Sequence, residues 1–357
     1  MEDEKKVRMN DWGHEETTYH IPSNPDGKIN LGTQVTFFLH RSGWNYAMRA
    51  LKPMHNDDGI YLHGFLEDVF CWNYFKYTKK KIIPFDRPWT GFFHNPPNMP
   101  KWFSYKNSPQ TILHNDTFQK SLSTCTGLFT LSEFHAEFLR KATGQTVSSI
   151  IHPTEIPEVQ FDFEAFKQNK RKRILNIGYW LRKINSIYML PSDESIYKKT
   201  RVMPFSAKSH AMKTLGIFSE REKKHSPDYK DNEKLYGQNS GGKTETLNML
   251  PDNEYDELLS ENIVFLDMYD SSANNAIIES IARATPVLAN PLPSITEYLG
   301  SDYPLYFNTL EEAAKKASDF ELIKVAHQYL LECETRKKLT PESFRKAIQE
   351  SEVYSLL

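Results

Sequence analysis

Along this chain, short apolar runs alternate with stretches in which apolar residues recur every three or four positions. In the first half the runs fall at residues 35–39, 59–63, 89–94, 127–131 and 147–151. In the second they fall at 173–178, 199–205, 263–266, 287–289 and 305–307. Their brevity, their Val, Ile, Leu and Phe content and the turn residues around them predict buried strands. Helical spacing predicts helices at 133–141 behind Ser132, at 276–283, at 294–299, at 309–318 and through 320–338. Strands alternating with helices are the pattern of a parallel α/β sheet.

The alternation is interrupted three times. Residues 1–32 are polar, with turns expected at Pro22, Pro25 and Gly27, and predict an extended arm. Residues 153–172 open on Pro153 and Pro157 and predict an interdomain linker with a short helix near 162–168. Residues 206–252 are highly charged and predict a surface excursion, helical around 207–215. The expected organisation is therefore an arm (1–32), an N-terminal α/β domain (33–152), the linker (153–172), a C-terminal α/β domain (173–320) carrying the excursion, and C-terminal helices (321–357). The last helix starts at Thr340, with Pro341 in its first turn.

A length of 357 residues suits two domains. With 39% hydrophobic and 13% aromatic residues, the chain can build packed cores. A formal net charge of −2 gives no global pull toward nucleic acid, and no nucleic-acid partner is expected. Three cysteines are too few for a disulfide framework or a cysteine-rich zinc site. The polar start has no apolar core of a signal peptide, and no apolar run is long enough to cross a bilayer. The expectation is a cytoplasmic protein without a transmembrane segment, with peripheral membrane contact left open.

Most of the candidate chemistry lies between residues 263 and 289. A strand at 263–266 leads into the polar loop Ser271, Ser272, Ala273, Asn274, Asn275 and then a helix that begins near Ala276 and carries Glu279 one turn inside. Asn275 or one of the serines can cap the free N–H groups, and Thr285-Pro286 ends the helix. A helix start at the carboxyl end of a parallel strand suits an anionic ligand. An ordinary βαβ unit with a surface Glu fits the same residues. A glycine turn at Gly178 is followed by Arg182 and Lys183, either phosphate ligands or solvated bases. His94 ends the third predicted strand and His40 the first; each is a site candidate or a hydrogen-bonded structural histidine. Glu133 serves an acceptor or the start of its own helix.

Residues 237–244 match the phosphate-loop pattern literally, but the residues before them are polar where that loop needs a buried strand. A flexible tip is expected there. No Gly-x-Ser-x-Gly elbow, strand-linked Asp-x-Asp or metal-spaced His/Cys/Asp cluster occurs, so neither a metal site nor a tightly bound cofactor is expected.

Residues 271–279, with Ala284-Thr285-Pro286-Val287-Leu288-Ala289 after them, resemble the donor-binding signature of retaining glycosyltransferases of the GT-B fold, the group 1 or family-four-like enzymes. That signature has two glutamates separated by seven residues; Glu279 matches the second, and Ser271 stands where the first would be. The glycine turn at 176–183 and the segment 127–133 are similar to further parts of such enzymes. The resemblance implies two Rossmann-like α/β domains facing across a cleft, with a C-terminal helical tail. It implies transfer of a sugar from a nucleotide-sugar co-substrate to a hydroxyl of a glycan or other acceptor, with retention and without a metal. Arg182 and Lys183 would meet the diphosphate, Glu279 the ribose, and Gly178 and residues Ser271–Ala276 the rest of the donor. His94 would act at the reacting centre, and His40 and Glu133 would face the acceptor. A non-catalytic nucleotide- or sugar-binding protein on the same scaffold, and a P-loop NTPase, are the alternatives.

Overall fold

The computed structural model describes residues 6–9, 15–18, 21–36, 42–203, 210–226 and 244–357. Its strands are β1 (Lys6–Met9), β2 (Glu15–Thr18), β3 (Ile29–Asn30), β4 (Thr33–Thr36), β5 (Ile60–His63), β6 (Trp89–Phe92), β7 (Cys125–Thr130), β8 (Val147–Ser149), β9 (Arg173–Ile177), β10 (Lys198–Val202), β11 (Thr244–Leu247), β12 (Ile263–Leu266) and β13 (Val287–Ala289). The chain forms two compact units. Of the described residues, the first takes those within 1–97, 104–155 and 337–357, and the second those within 98–103 and 156–336.

The first unit holds a five-stranded parallel sheet in the order β3-β5-β6-β7-β8. Strand β6 is buried at every position, as expected for a parallel strand covered on both faces. Its core gathers Leu66, Phe70, Trp89, Phe93, Phe118 and Leu128. Two expectations are corrected here. The expected arm reaches only part of the way to residue 32, because Ile29 and Leu31 are fully buried and Ile29–Asn30 is a strand of the parallel sheet. The expected first parallel strand at 35–39 is described only to Thr36, where it pairs antiparallel with β2 in a separate three-stranded sheet.

The second unit holds a parallel sheet in the order β11-β10-β9-β12-β13. Strands β9 and β12 carry apolar residues at consecutive positions and are almost wholly buried. Three expectations are corrected in this unit. The charged stretch 206–252 contains a packed helix, His210–His225, whose Leu215, Phe218 and Glu222 are buried, and the edge strand β11. An edge strand has one neighbour, so it needs few apolar residues, which is why its sequence is polar. The expected strand at 305–307 makes only an isolated bridge from Tyr306 to Ala289. The second unit also begins before residue 173, with Phe161 and Phe166 in its core. The C-terminal helices divide: Phe320–Glu332 belongs to the second unit, and Pro341–Gln349 and Glu352–Leu356 to the first.

Candidate functional site

In the second unit the sheet order sets where a ligand can go. From β9 the chain moves to β10 on one side, and later returns to β12 on the other. The loops leaving the carboxyl ends of β9 and β12 therefore diverge, and an open α/β sheet binds its ligands at such a switch point. Both loops carry the residues singled out in the sequence.

The loop after β9 turns on Gly178, whose φ of +77° favours glycine, and a Cβ there would lie 3.3 Å from Arg182 Nη2. Leu181 is buried and also left-handed, at φ +55°, a strained conformation for a residue with a side chain. Lys183 N–H donates to the Asp267 carbonyl (2.7 Å) and Tyr269 N–H to the Leu181 carbonyl (2.9 Å), which ties the two loops together. Asn290, after β13, adds a third tie, accepting from Met268 N–H and donating to its carbonyl, each at 2.9 Å.

Arg182 is the crosspiece of this frame. Its Nε donates to the Ile177 carbonyl (3.2 Å), Nη1 to the Trp180 carbonyl (2.8 Å) and Nη2 to Asn274 Oδ1 (3.1 Å). Burial lowers its pKa to about 10, against the carboxylate of Glu279, which favours the charged form; it stays a cation at neutral pH. Lys183 pairs with Asp267 at 2.9 Å and keeps about a third of its side chain exposed.

The helix Asn275–Arg283 starts from Asn274, not Asn275: the Asn274 side chain accepts from Ile277 N–H at 3.3 Å. Ser271, Ser272 and Asn274 are buried, while Ala273 and Asn275 are partly exposed. Ser271 Oγ has no hydrogen-bond partner. The helix ends at Arg283, just ahead of Thr285-Pro286. Ala284 takes a left-handed conformation (φ +53°), and Thr285 N–H reaches back to the Ser280 carbonyl. Glu279 is 5% exposed and accepts from the Tyr255 hydroxyl at 2.6 Å. Beneath it, Arg283 is fully buried, pairs with Asp256 and lies 5.5 Å from the Tyr255 ring centre.

The structure thus brings Gly178, Arg182, Lys183, Ser271–Ala276 and Glu279 together around one pair of loops. His94 and Glu133 belong to the first unit. His94 Nε2 bonds the Gly64 carbonyl at 2.9 Å, which fixes the ring proton on that nitrogen. Its ring stacks on Phe65 at 4.0 Å and meets Trp44 edge-on at 4.4 Å. Burial lowers its pKa to about 3. Glu133 is held by Arg140 and by Ser149 Oγ (2.9 Å), and Arg140 keeps its carboxyl below the usual range. Ser132 makes no side-chain cap bond to that helix. His40 and residues 237–243 of the phosphate-loop pattern lie outside the described residues.

Several residues around the loops carry no sequence motif. Glu222, fully buried, accepts from Ile184 N–H (3.0 Å), Asn185 N–H (2.8 Å), Asn185 Nδ2 (2.7 Å) and the Tyr269 hydroxyl (2.7 Å). Its spacing from Leu215 and Phe218 places all three on one helix face, the one signal that could have identified it. Residues 98–103, from between β6 and β7, pack in the second unit. Asn98 N–H donates to Asp270 Oδ2 at 2.7 Å, and the Phe103 ring lies 4.3 Å from Phe218 and 5.3 Å from Trp180. Burial raises Asp270 to about 6. In the first unit, Glu67 Oε1 accepts from His94 N–H (2.8 Å) and Asn95 N–H (2.7 Å).

Neither a protein-family model nor a curated protein matches this sequence. Solved structures match in fold. A sucrose-phosphate synthase from Thermosynechococcus elongatus superposes with a TM-score of 0.58 at 12% identity, over 83% of this chain and 73% of that one. HepE of Anabaena in complex with UDP and glucose gives 0.54 at 10% identity, over 86% and 79%. A UDP-forming α,α-trehalose-phosphate synthase from Burkholderia vietnamiensis gives 0.53 at 12%, over 87% and 75%. The fold is GT-B-like. At these identities the likeness is one of fold, and the two five-stranded parallel sheets are what carries it. Among the described residues no helix is long and apolar enough to cross a membrane, and no group of three or more His, Cys, Asp or Glu is placed to hold a metal ion.

Proposed function

We propose that this protein is a glycosyltransferase that takes a sugar from a nucleotide-sugar donor and passes it to a hydroxyl of a glycan or other acceptor, with retention and without a metal. One observation supports this above all: the divergent loops after β9 and β12 join a cation, Arg182, to a helix start, Asn274, at the switch point of a GT-B-like sheet. Bond cleavage leaves negative charge on the departing diphosphate, and fixed cations and backbone N–H groups stabilise it without reorganising. Arg182 holds the loop with three of its donors and supplies charge; Lys183, partly exposed beside Asp267, meets the phosphate oxygens. Residues Ser271–Ala276 present the helix start, and Gly178 gives the backbone close approach. Glu279, oriented by Tyr255 over the Arg283–Asp256 pair, accepts from the ribose hydroxyls.

His94 is proposed for the reacting centre and Glu133 for the acceptor side. A neutral imidazole with its proton on Nε2 offers Nδ1 as a hydrogen-bond acceptor rather than as a strong base, which fits a mechanism in which the donor phosphate takes the acceptor proton. Three free cysteines suit a cytoplasmic location.

Ser271 favours a second reading, a non-catalytic nucleotide- or sugar-binding protein, since a hydroxyl stands where the resemblance calls for a carboxylate. Turnover separates the two. Incubated with UDP-glucose and a mixture of glycan acceptors, the enzyme releases UDP at a rate that rises with acceptor; a binding protein shifts its melting temperature with UDP-glucose and releases nothing. Absence of any shift with a panel of nucleoside diphosphates and nucleotide sugars would count against both.

A further inference from the structure

Far along the sequence from the donor loops, in the first unit, the segment 74–88 has a character unlike the rest of the chain. The helix Tyr74–Lys80 carries Phe75, 79% exposed, the most exposed of the large apolar side chains among the described residues. Ile82 and Ile83 follow at 46% and 41%. Around them stand Lys76, Lys79, Lys80, Lys81 and Arg87, all exposed, against one acidic residue, Asp86, in a chain whose formal charge is −2.

The backbone keeps the end of this helix and the residues after it close together. Ile82 N–H donates to the Tyr77 carbonyl at 3.0 Å and Lys81 N–H to Thr78 at 3.1 Å, so the chain folds back against the last turn of the helix. The closing residue is Lys81, at φ +53°, where glycine would be unstrained.

We propose that residues 74–88 dock the protein on an anionic lipid surface, with Phe75, Ile82 and Ile83 entering the headgroup–acyl boundary and the four lysines and Arg87 facing the lipid phosphates. Exposed aliphatic side chains beside clustered lysines match a bilayer interface, which offers apolar depth and negative charge together. They do not match nucleic acid, where Ile82 and Ile83 would have neither a base to stack on nor a groove to read. The segment belongs to the first unit and the donor loops to the second, and the proposal does not depend on what those loops bind.

The test is sedimentation of the full chain with phosphatidylcholine vesicles, with and without phosphatidylserine. Binding is expected only with phosphatidylserine, weakening as salt rises from about 0.1 to about 0.5 M. The combined variant Lys76→Ser, Lys79→Ser, Lys80→Ser, Lys81→Ser is expected to lose about 100-fold in partitioning, and Phe75→Ser about tenfold, with melting temperatures near that of the parent. Nucleotide-dependent thermal shifts stay unchanged in both. Equal sedimentation of parent and variants, no binding to phosphatidylserine vesicles, or tighter binding to single-stranded RNA than to vesicles would each overturn the proposal.

Discussion

Both units end parallel strands in loops that carry buried titratable groups, yet the two sets of groups differ in charge. At the carboxyl ends of β5 and β6, and on the helix after β7, the first unit has imidazoles that burial keeps neutral: His63 is lowered to about 4, and His94 and His135 to about 3. The carboxyl among them, Glu67, is raised to about 7, and one of its oxygens has no hydrogen-bond partner. Around the loops of the second unit three cations lie near a carboxylate: Lys183 with Asp267, Arg283 with Asp256, and Arg182 within the field of Glu279. A phosphate finds fixed positive charge in the second set and none among the imidazoles of the first. On the proposed reading, the second set suits an anion and the first a neutral, hydroxyl-bearing ligand.

The contrast can be broken by substitution. The largest effect is expected at Asp256→Ala, which strands Arg283 as an unpaired buried cation; chemical unfolding should register a loss of about 3–5 kcal/mol. Next comes Glu67→Gln in the first unit. Burial lifts Glu67 from 4.5 to about 7, so between those values the folded state holds a proton that the unfolded chain has released. Its contribution to stability is complete below about pH 4.5 and is lost as pH rises through about 7. The glutamine variant lacks that loss. Its stability relative to the parent should climb between pH 4 and pH 8 by up to about 3 kcal/mol, and a pH-independent difference would show that Glu67 titrates normally.

Smaller effects concern the ligand. Arg182→Ala removes both a cation and the crosspiece between loops, and calorimetry should find nucleoside diphosphate binding weakened about 100-fold. Glu279→Gln keeps an acceptor for Tyr255 but loses the charge, and about a tenfold weakening is expected. His94→Ala should leave nucleotide affinity within about twofold, because it lies in the other region; a change as large as that of Arg182→Ala would erase the distinction between the two.

Much of this was legible in the sequence, for identifiable reasons. Buried parallel strands announce themselves as consecutive apolar residues, as at Ile263–Leu266, and a polar loop before an amphipathic helix marked the stretch ending in Glu279. What escaped notice was the support. Tyr255, Asp256 and Arg283 look like ordinary helix residues, and only folding shows them stacked beneath Glu279. Glu222 sits in a stretch so charged that it reads as surface, although four donors converge on its carboxylate. Residues 98–103 could not be placed in the second unit from sequence, because nothing local marks Phe103 for packing against Phe218, more than a hundred positions away.

The most direct test of the central claim, that the loops after β9 and β12 hold the nucleotide, is hydrogen exchange of the full chain with and without the nucleoside diphosphate giving the largest thermal shift. Slowed exchange is predicted in residues 178–185 and 268–279, with residues 63–68 and 92–96 unchanged. Protection confined to the second pair of segments, with the first pair unchanged, would contradict it.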